Sequence, residues 1–200
     1  AQQKASINIP FERYVLPNGL TVLLSQDRST PTVAVNVWYH VGSKNETAGR
    51  TGFAHLFEHV MFQGSAHVGK AEHIALVQAA GGTMNGTTWL DRTNYFETMP
   101  SHQLALALWL EADRMGTLLD ALSQDNLDNQ REVVKNEKRW SYDNRPYGSC
   151  VEKMLGSIFP AGTRTTTRRS ARWRTSTPPR SRTCLRSSAS TTPRTTRCCR

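Results

Sequence analysis

Apolar and polar positions in the first forty residues follow a strand-like pattern. Two short apolar runs, Arg13–Leu16 and Leu20–Ser25, flank Pro17-Asn18-Gly19. An Asn-Gly pair between such runs is typical of a β-hairpin, because both residues tolerate the positive φ angles that its turn needs. The next run, Thr32–Val41, is rich in β-branched and aromatic residues, and it predicts a buried strand.

The apolar period changes to a helical one at Thr51. Within Thr51–Gln63 the apolar residues Phe53, Leu56, Phe57, Val60 and Met61 recur at spacings of three and four, and Gly64 ends the run. Two further strands are predicted at Thr83–Leu90 and Asn94–Met99, joined by a polar turn. The other predicted helices are Lys70–Ala80, Ser101–Leu119, Gln124–Ser141 and Tyr147–Phe159.

This order of strands and helices predicts an α+β fold, in which an antiparallel-type sheet packs with long helices. The chain has 200 residues, enough to bury a substantial core. No apolar run approaches the roughly 18 residues that a membrane span requires, so we expect no membrane span.

Charge divides the chain into two parts. Residues 1–160 carry 14 Lys and Arg against 16 Asp and Glu, whereas residues 161–200 carry 11 Arg and no acidic residue. The formal net charge of +9 therefore comes from the tail, and a nucleic-acid partner for the folded body is not expected. We predict a domain over residues 1–162, followed by a disordered Arg/Thr/Ser-rich tail over 163–200.

The candidate chemistry lies in His55-Leu56-Phe57-Glu58-His59. Residues i and i+4 share a helix face, so His55 and His59 can bind one metal ion, and imidazole is a common zinc ligand. Glu58 is placed to accept a proton from an attacking water, in the inverted arrangement of the HExxH motif. A hydrogen-bonded core cluster is the alternative reading of so short a motif.

A zinc site of this type needs a third ligand, which is usually acidic. The predicted helix Gln124–Ser141 offers Glu132 and Glu137. These residues are five apart, about 500° of helix rotation, so they cannot face the histidines equally well.

Several segments together resemble one known family. They are GRTGFAHLFEHVMFQGS, GGTMNGTTWLDRTNYFETMP, LALWLEADRMG and LDNQREVVKNEKRWSYDNRPYG. They look like the insulinase/pitrilysin family of zinc peptidases, and especially its bacterial members similar to mitochondrial processing peptidase. The resemblance covers about residues 10–162.

The resemblance implies a role for individual residues. His55 and His59 match the zinc-binding histidines, and Glu58 matches the catalytic base. Glu137, with 77 residues between it and His59, matches the family's third ligand, and Glu132 is the runner-up. Family members often carry a glutamate seven residues before that ligand, where this chain has Gln130.

The resemblance also implies how substrate is held. Asn85 matches an asparagine on an edge strand that pairs with the substrate backbone in the family. Because Asn-Gly is a common turn dipeptide, a turn role for Asn85 is the alternative.

We therefore expect a Zn²⁺-dependent endopeptidase that cleaves peptides or unfolded segments. The alternative is a non-catalytic partner subunit, or an inactive zinc-binding fragment of such a peptidase. The implied partners are a peptide substrate and either a homologous partner subunit or a second, C-terminal half. Ala1 at the first position and the exported bacterial relatives favour a periplasmic or otherwise exported protein.

The composition of the tail has two explanations. A frameshift after residue 162 accounts for the loss of family resemblance where the composition changes, and we favour it. Codons that specify Arg172-Trp173-Arg174-Thr175, for example, can specify Met-Ala-Asp in the adjacent frame. The alternative is a natural basic tail that binds nucleic acid or anionic lipid.

Overall fold

The computed structural model describes residues 9–47 and 51–159, apart from the side chains of Glu152 and Leu155. The five strands are β1 (Glu12–Val15), β2 (Thr21–Leu24), β3 (Thr32–Tyr39), β4 (Thr83–Thr88) and β5 (Thr93–Pro100). The five α-helices are α1 (Phe53–Val60), α2 (Glu72–Ala79), α3 (Leu104–Ala121), α4 (Gln124–Lys138) and α5 (Cys150–Ile158).

The first two strands form the predicted hairpin. β1 and β2 pair antiparallel, and Val15 lies opposite Thr21. In the turn, Gly19 has a φ of 89°, and Asn18 Oδ1 accepts a 3.1 Å hydrogen bond from the Leu20 N–H. The Asn-Gly signal thus identified the hairpin and its turn.

The other three strands form an antiparallel sheet in the order β3-β5-β4. Alternate residues of β3 are exposed and half-buried, and Trp38 is 58% exposed. The prediction of a buried strand was therefore wrong for one face of β3. In the described residues, helices cover the opposite face, which carries Val33, Val35 and Val37.

The covered face of the sheet packs on α2 and α3. Its core is a cluster of buried apolar residues from both helices, from β5 and from the loop before α2: Val68, Val77, Met99, Ala107 and Leu110. A second cluster, formed by Met61, Tyr95 and Leu118, extends this core towards the end of α1. The sheet, α1 and α3 are therefore held together by apolar contacts.

Helix α1 also packs on α4, through an apolar seam that consists of Leu56, Val60, Leu127 and Val134. Three of these side chains are fully buried, and Val134 is 3% exposed. Ser123 begins α4 as an N-cap, and its side chain accepts a 3.1 Å hydrogen bond from the Asn126 N–H. The cap fixes where α4 starts, and hence which of its residues face α1.

The predicted fold class, α+β with an antiparallel sheet and long helices, is confirmed. The predicted helices agree with the observed ones to within a few residues at each end. Helix α4 ends at Lys138 and continues as a π-helical turn over Arg139–Asp143. Among the described residues no helix is both long and apolar enough to cross a membrane. The domain boundary at 162 and the predicted disordered tail lie outside the described residues.

Loss of the seam between α1 and α4 should destabilise the fold strongly. Leu127→Ala removes a fully buried side chain, and we expect it to lower the free energy of unfolding by about 2–5 kcal/mol. Val133→Ala, on the same helix but 41% exposed, is the matched control and should cost less than about 1 kcal/mol. Urea unfolding followed by circular dichroism measures both. Equal losses in the two variants would contradict the seam.

Candidate metal centre

The two histidines of the HxxEH segment lie on one stripe of α1. His55 and His59 are one turn apart, and each precedes a seam residue, Leu56 or Val60, by one position. One residue is about 100° of helix rotation. Because Leu56 and Val60 pack against α4, the two histidines lie at the edge of the same interface, where they are half-buried.

Glu137 lies opposite this stripe, on α4. Its carboxylate oxygens are 3.6 Å from His55 Nε2 and 3.1 Å from His59 Nε2, and the two Nε2 atoms are 3.2 Å apart. Zinc bonds of about 2.0–2.1 Å place tetrahedral ligand atoms roughly 3.3–3.5 Å apart. The three side chains thus present two nitrogens and a carboxylate at separations close to those of a tetrahedral zinc site.

The three side chains are accessible from solvent. Their exposed fractions are 30% for His55, 22% for His59 and 45% for Glu137. A structural zinc site is closed by four protein ligands, whereas a catalytic one keeps a position open. Three potential ligands at a part-exposed rim match the open type.

Glu58 lies on α1 between the two histidines in sequence, and a strand holds its side chain. Thr88 Oγ1, at the end of β4, donates a 2.5 Å hydrogen bond to Glu58 Oε2. Thr88 is 5% exposed. Its hydroxyl therefore fixes one carboxylate oxygen from the protein interior. Sequence analysis missed Thr88, because a contact between residues 30 positions apart depends on how the helix docks on the sheet.

The alternative ligand Glu132 lies elsewhere on α4. Its carboxylate pairs with Lys135 at 2.5 Å, and the Lys135 hydrogen bond lowers the pKa of Glu132 below its usual value. Gln130, two helical turns before Glu137 and so on the same face, is 7% exposed. The structure therefore brings Glu137, and not Glu132, to the histidines.

Asn85 lies within β4, so the turn alternative is wrong for this residue. Its side chain is exposed, and Asn85 pairs with Phe96 of β5. Among the described strands, β4 is an edge strand, because β5 is its only neighbour. The predicted position on an edge strand is therefore observed, while a role in substrate binding stays a prediction.

The N-terminus of α1 is capped by Glu46, a residue that no sequence motif marked. Its two oxygens accept hydrogen bonds from the N–H groups of Gly52, at 2.7 Å, and Ala54, at 2.8 Å. Gly52 has a φ of 88°, which favours glycine. Burial nevertheless raises the pKa of Glu46 to about 7, because it outweighs the stabilising backbone hydrogen bonds.

The other described histidines lie apart from this centre. His40 and His102 are exposed, and His67 binds Asp113 at 2.6 Å. His73 is buried, with its Nε2 3.7 Å from a carboxylate oxygen of Glu97.

Comparison with known protein families agrees with the geometry of the HxxEH segment and Glu137. The model of the insulinase family, peptidase family M16, matches residues 21–167. The chain belongs to this family. The match includes the HxxEH segment, β4, and Glu137 on α4.

Two curated relatives show the range of the family. The zinc protease PqqE of Helicobacter pylori is 38% identical over 149 residues, which are 74% of this chain and 33% of that protein. The beta subunit of mitochondrial-processing peptidase from Blastocladiella emersonii is 29% identical over 134 residues, 66% of this chain and 28% of that protein. The chain spans about a third of the length of these relatives.

A solved structure agrees with the fold. The crystal structure of a protease from Helicobacter pylori superimposes with a TM-score of 0.68 at 36% identity, covering 74% of this chain and 34% of that one. The resemblance to the insulinase family, and to its bacterial members similar to the mitochondrial peptidase, is therefore confirmed. Zinc peptidase is the class of its relatives.

The cap on α1 gives the fold a pH dependence. The pKa of Glu46 in the folded chain, about 7, exceeds the ordinary value of 4.5, so the folded state binds this proton more tightly. The resulting stabilisation is complete below pH 4.5 and is lost as the pH rises through 7. Relative to Glu46→Gln, the wild-type chain should lose up to about 3 kcal/mol of unfolding free energy between pH 4.5 and 8.

Urea unfolding at a series of pH values measures this loss. Glu132→Gln is the control, because the lowered pKa of exposed Glu132 keeps its titration below this range. Parallel stability curves for wild type and Glu46→Gln would contradict the raised pKa.

Proposed function

We propose that this chain carries the zinc site of an endopeptidase, with His55, His59 and Glu137 as ligands and Glu58 as general base. The observation that carries the proposal is the convergence of two Nε2 atoms and one carboxylate at 3.1–3.6 Å. The donor set, two imidazoles and a carboxylate, suits zinc. The zinc protease relatives support the choice of metal.

The chemistry divides between the metal and the protein. Zinc at this position supplies a Lewis acid that polarises a peptide carbonyl and acidifies the attacking water. Glu58 accepts the proton from that water and passes it to the leaving amine. The hydrogen bond from Thr88 occupies Oε2 of Glu58, so Oε1 is the oxygen that is left to accept the proton.

The edge of β4 that is unpaired in the described part of the chain favours an extended peptide as the substrate. β4 has a free edge among the described strands, and an added strand can pair its backbone there. The same strand ends at Thr88, which binds Glu58. A peptide paired along β4 would therefore run towards the proposed base. Exposed Asn85 is placed on β4 to contact such a peptide with its side-chain amide.

A non-catalytic role is the second candidate. The chain spans about a third of the relatives' length, so its activity depends on whether a second half or a homologous partner subunit is needed to hold the substrate. In that case the chain binds zinc without cleaving peptides. An exported or periplasmic location stays a prediction from the sequence.

Two substitutions separate metal binding from catalysis. Glu58→Gln keeps the size of the side chain but removes the base, so we expect peptide cleavage to fall by about 10²–10⁴-fold with zinc content unchanged. His59→Ala removes a ligand and should lower bound zinc by one equivalent per chain. Glu132→Gln is the matched control on α4 and should leave both quantities unchanged. Elemental analysis and hydrolysis of an unstructured fluorogenic peptide give the two readouts.

The outcomes distinguish the two candidates. Zinc binding that needs His59, without cleavage by the unmutated chain, would favour the non-catalytic role. Cleavage that survives Glu58→Gln, or zinc content that is unaffected by His59→Ala, would contradict the proposed site.

A further inference from the structure

A second group of metal-ligating side chains lies inside the domain. It consists of His73 on α2, Glu97 on β5 and Glu111 on α3, and one potential ligand atom from each lies within 4.8 Å of the others. The three residues are 6%, 1% and 2% exposed. A buried carboxylate is costly unless it is paired, so two of them in one place require an explanation.

One cation accounts for only part of this charge. Buried Arg114 forms an ion pair with Oε1 of Glu111, and its guanidinium lies 4.2 Å from the ring centroid of Tyr95. Burial raises the pKa of Glu111, which disfavours its ionised form unless a cation lies beside it.

Four polar atoms of the cluster have no hydrogen-bond partner among the described residues. Neither oxygen of Glu97 has a hydrogen bond from the described residues, nor does Glu111 Oε2 or His73 Nε2. His73 Nε2 is 3.7 Å from Glu97 Oε2. That separation is too long for a hydrogen bond, but it is close to the distance between two ligand atoms of one metal ion.

We propose that His73, Glu97 and Glu111 bind a divalent transition-metal cation, at a second site separate from that of His55, His59 and Glu137. One imidazole and two carboxylates suit ions from manganese to zinc. The cation compensates the remaining charge and occupies the oxygens that have no donor. Because its ligands come from a strand and two helices, it cross-links the sheet to α2 and α3.

A buried proton is the competing occupant. An imidazolium on His73 would also neutralise the cluster, but a charge-assisted bond to Glu97 would be about 2.7–2.9 Å long. The 3.7 Å separation of His73 Nε2 and Glu97 Oε2 argues against that imidazolium.

Zinc stoichiometry in the full chain tests this site. The protein is stripped of metal, dialysed against zinc and analysed for bound metal. We expect two zinc ions per wild-type chain and one in the His55→Ala/His59→Ala double variant. Adding Glu97→Gln, which keeps the side-chain shape, should leave none. Adding Glu132→Gln instead, at an exposed glutamate, should leave one.

Two outcomes overturn the second site without touching the first. One zinc in the wild type and none in the double variant means that a proton balances the cluster. One zinc that persists after Glu97→Gln means that the metal lies elsewhere. Should that variant misfold, the double variant itself gives the answer, since its buried cluster is intact. Its melting temperature should rise with the logarithm of zinc or manganese concentration, and a constant value overturns the proposal.

Discussion

The apolar seam between α1 and α4 is the interaction on which the candidate metal centre depends. Leu56 and Val60 on one helix are packed against Leu127 and Val134 on the other. These residues do no chemistry. However, the histidine stripe is one position away from the seam on α1, and Glu137 is three positions past Val134 on α4. Burial of the seam therefore fixes the rotation of both helices, and with it the distances among the three proposed ligands.

Two further contacts complete this placement from outside the seam. Glu46 accepts hydrogen bonds at the N-terminus of α1, where free N–H groups and the helix dipole favour a carboxylate. Thr88 binds Glu58 and so links α1 to the strand that is proposed to hold substrate. The helix is thus held at its beginning, along one side and through its proposed base, while the histidine side stays open to solvent.

Local patterns predicted what local geometry controls. The helical period of Thr51–Gln63 and the i, i+4 spacing of His55 and His59 depend on one helix alone, and both predictions agree with the structure. The spacing of Glu132 and Glu137 showed only that one of the two could face the histidines. The family resemblance favoured Glu137, and the packing of α4 places that residue opposite them.

Features that depend on how elements dock were not predictable. Thr88 and Glu46 act across 30 and 8 positions of sequence, and no motif marks either of them. His73 has no ligand spacing to another histidine, and only the folded sheet brings it to Glu97. β3 was predicted to be buried from its composition, which cannot show that helices cover only one of its faces.

Anomalous diffraction at the zinc edge, from crystals of the zinc-loaded chain, locates the metal directly. We expect a peak about 2.0–2.2 Å from His55 Nε2, His59 Nε2 and a carboxylate oxygen of Glu137. The absence of a peak between these three atoms would contradict the proposed ligand set. A peak whose third protein ligand is Glu132, or any residue other than Glu137, would contradict it as well.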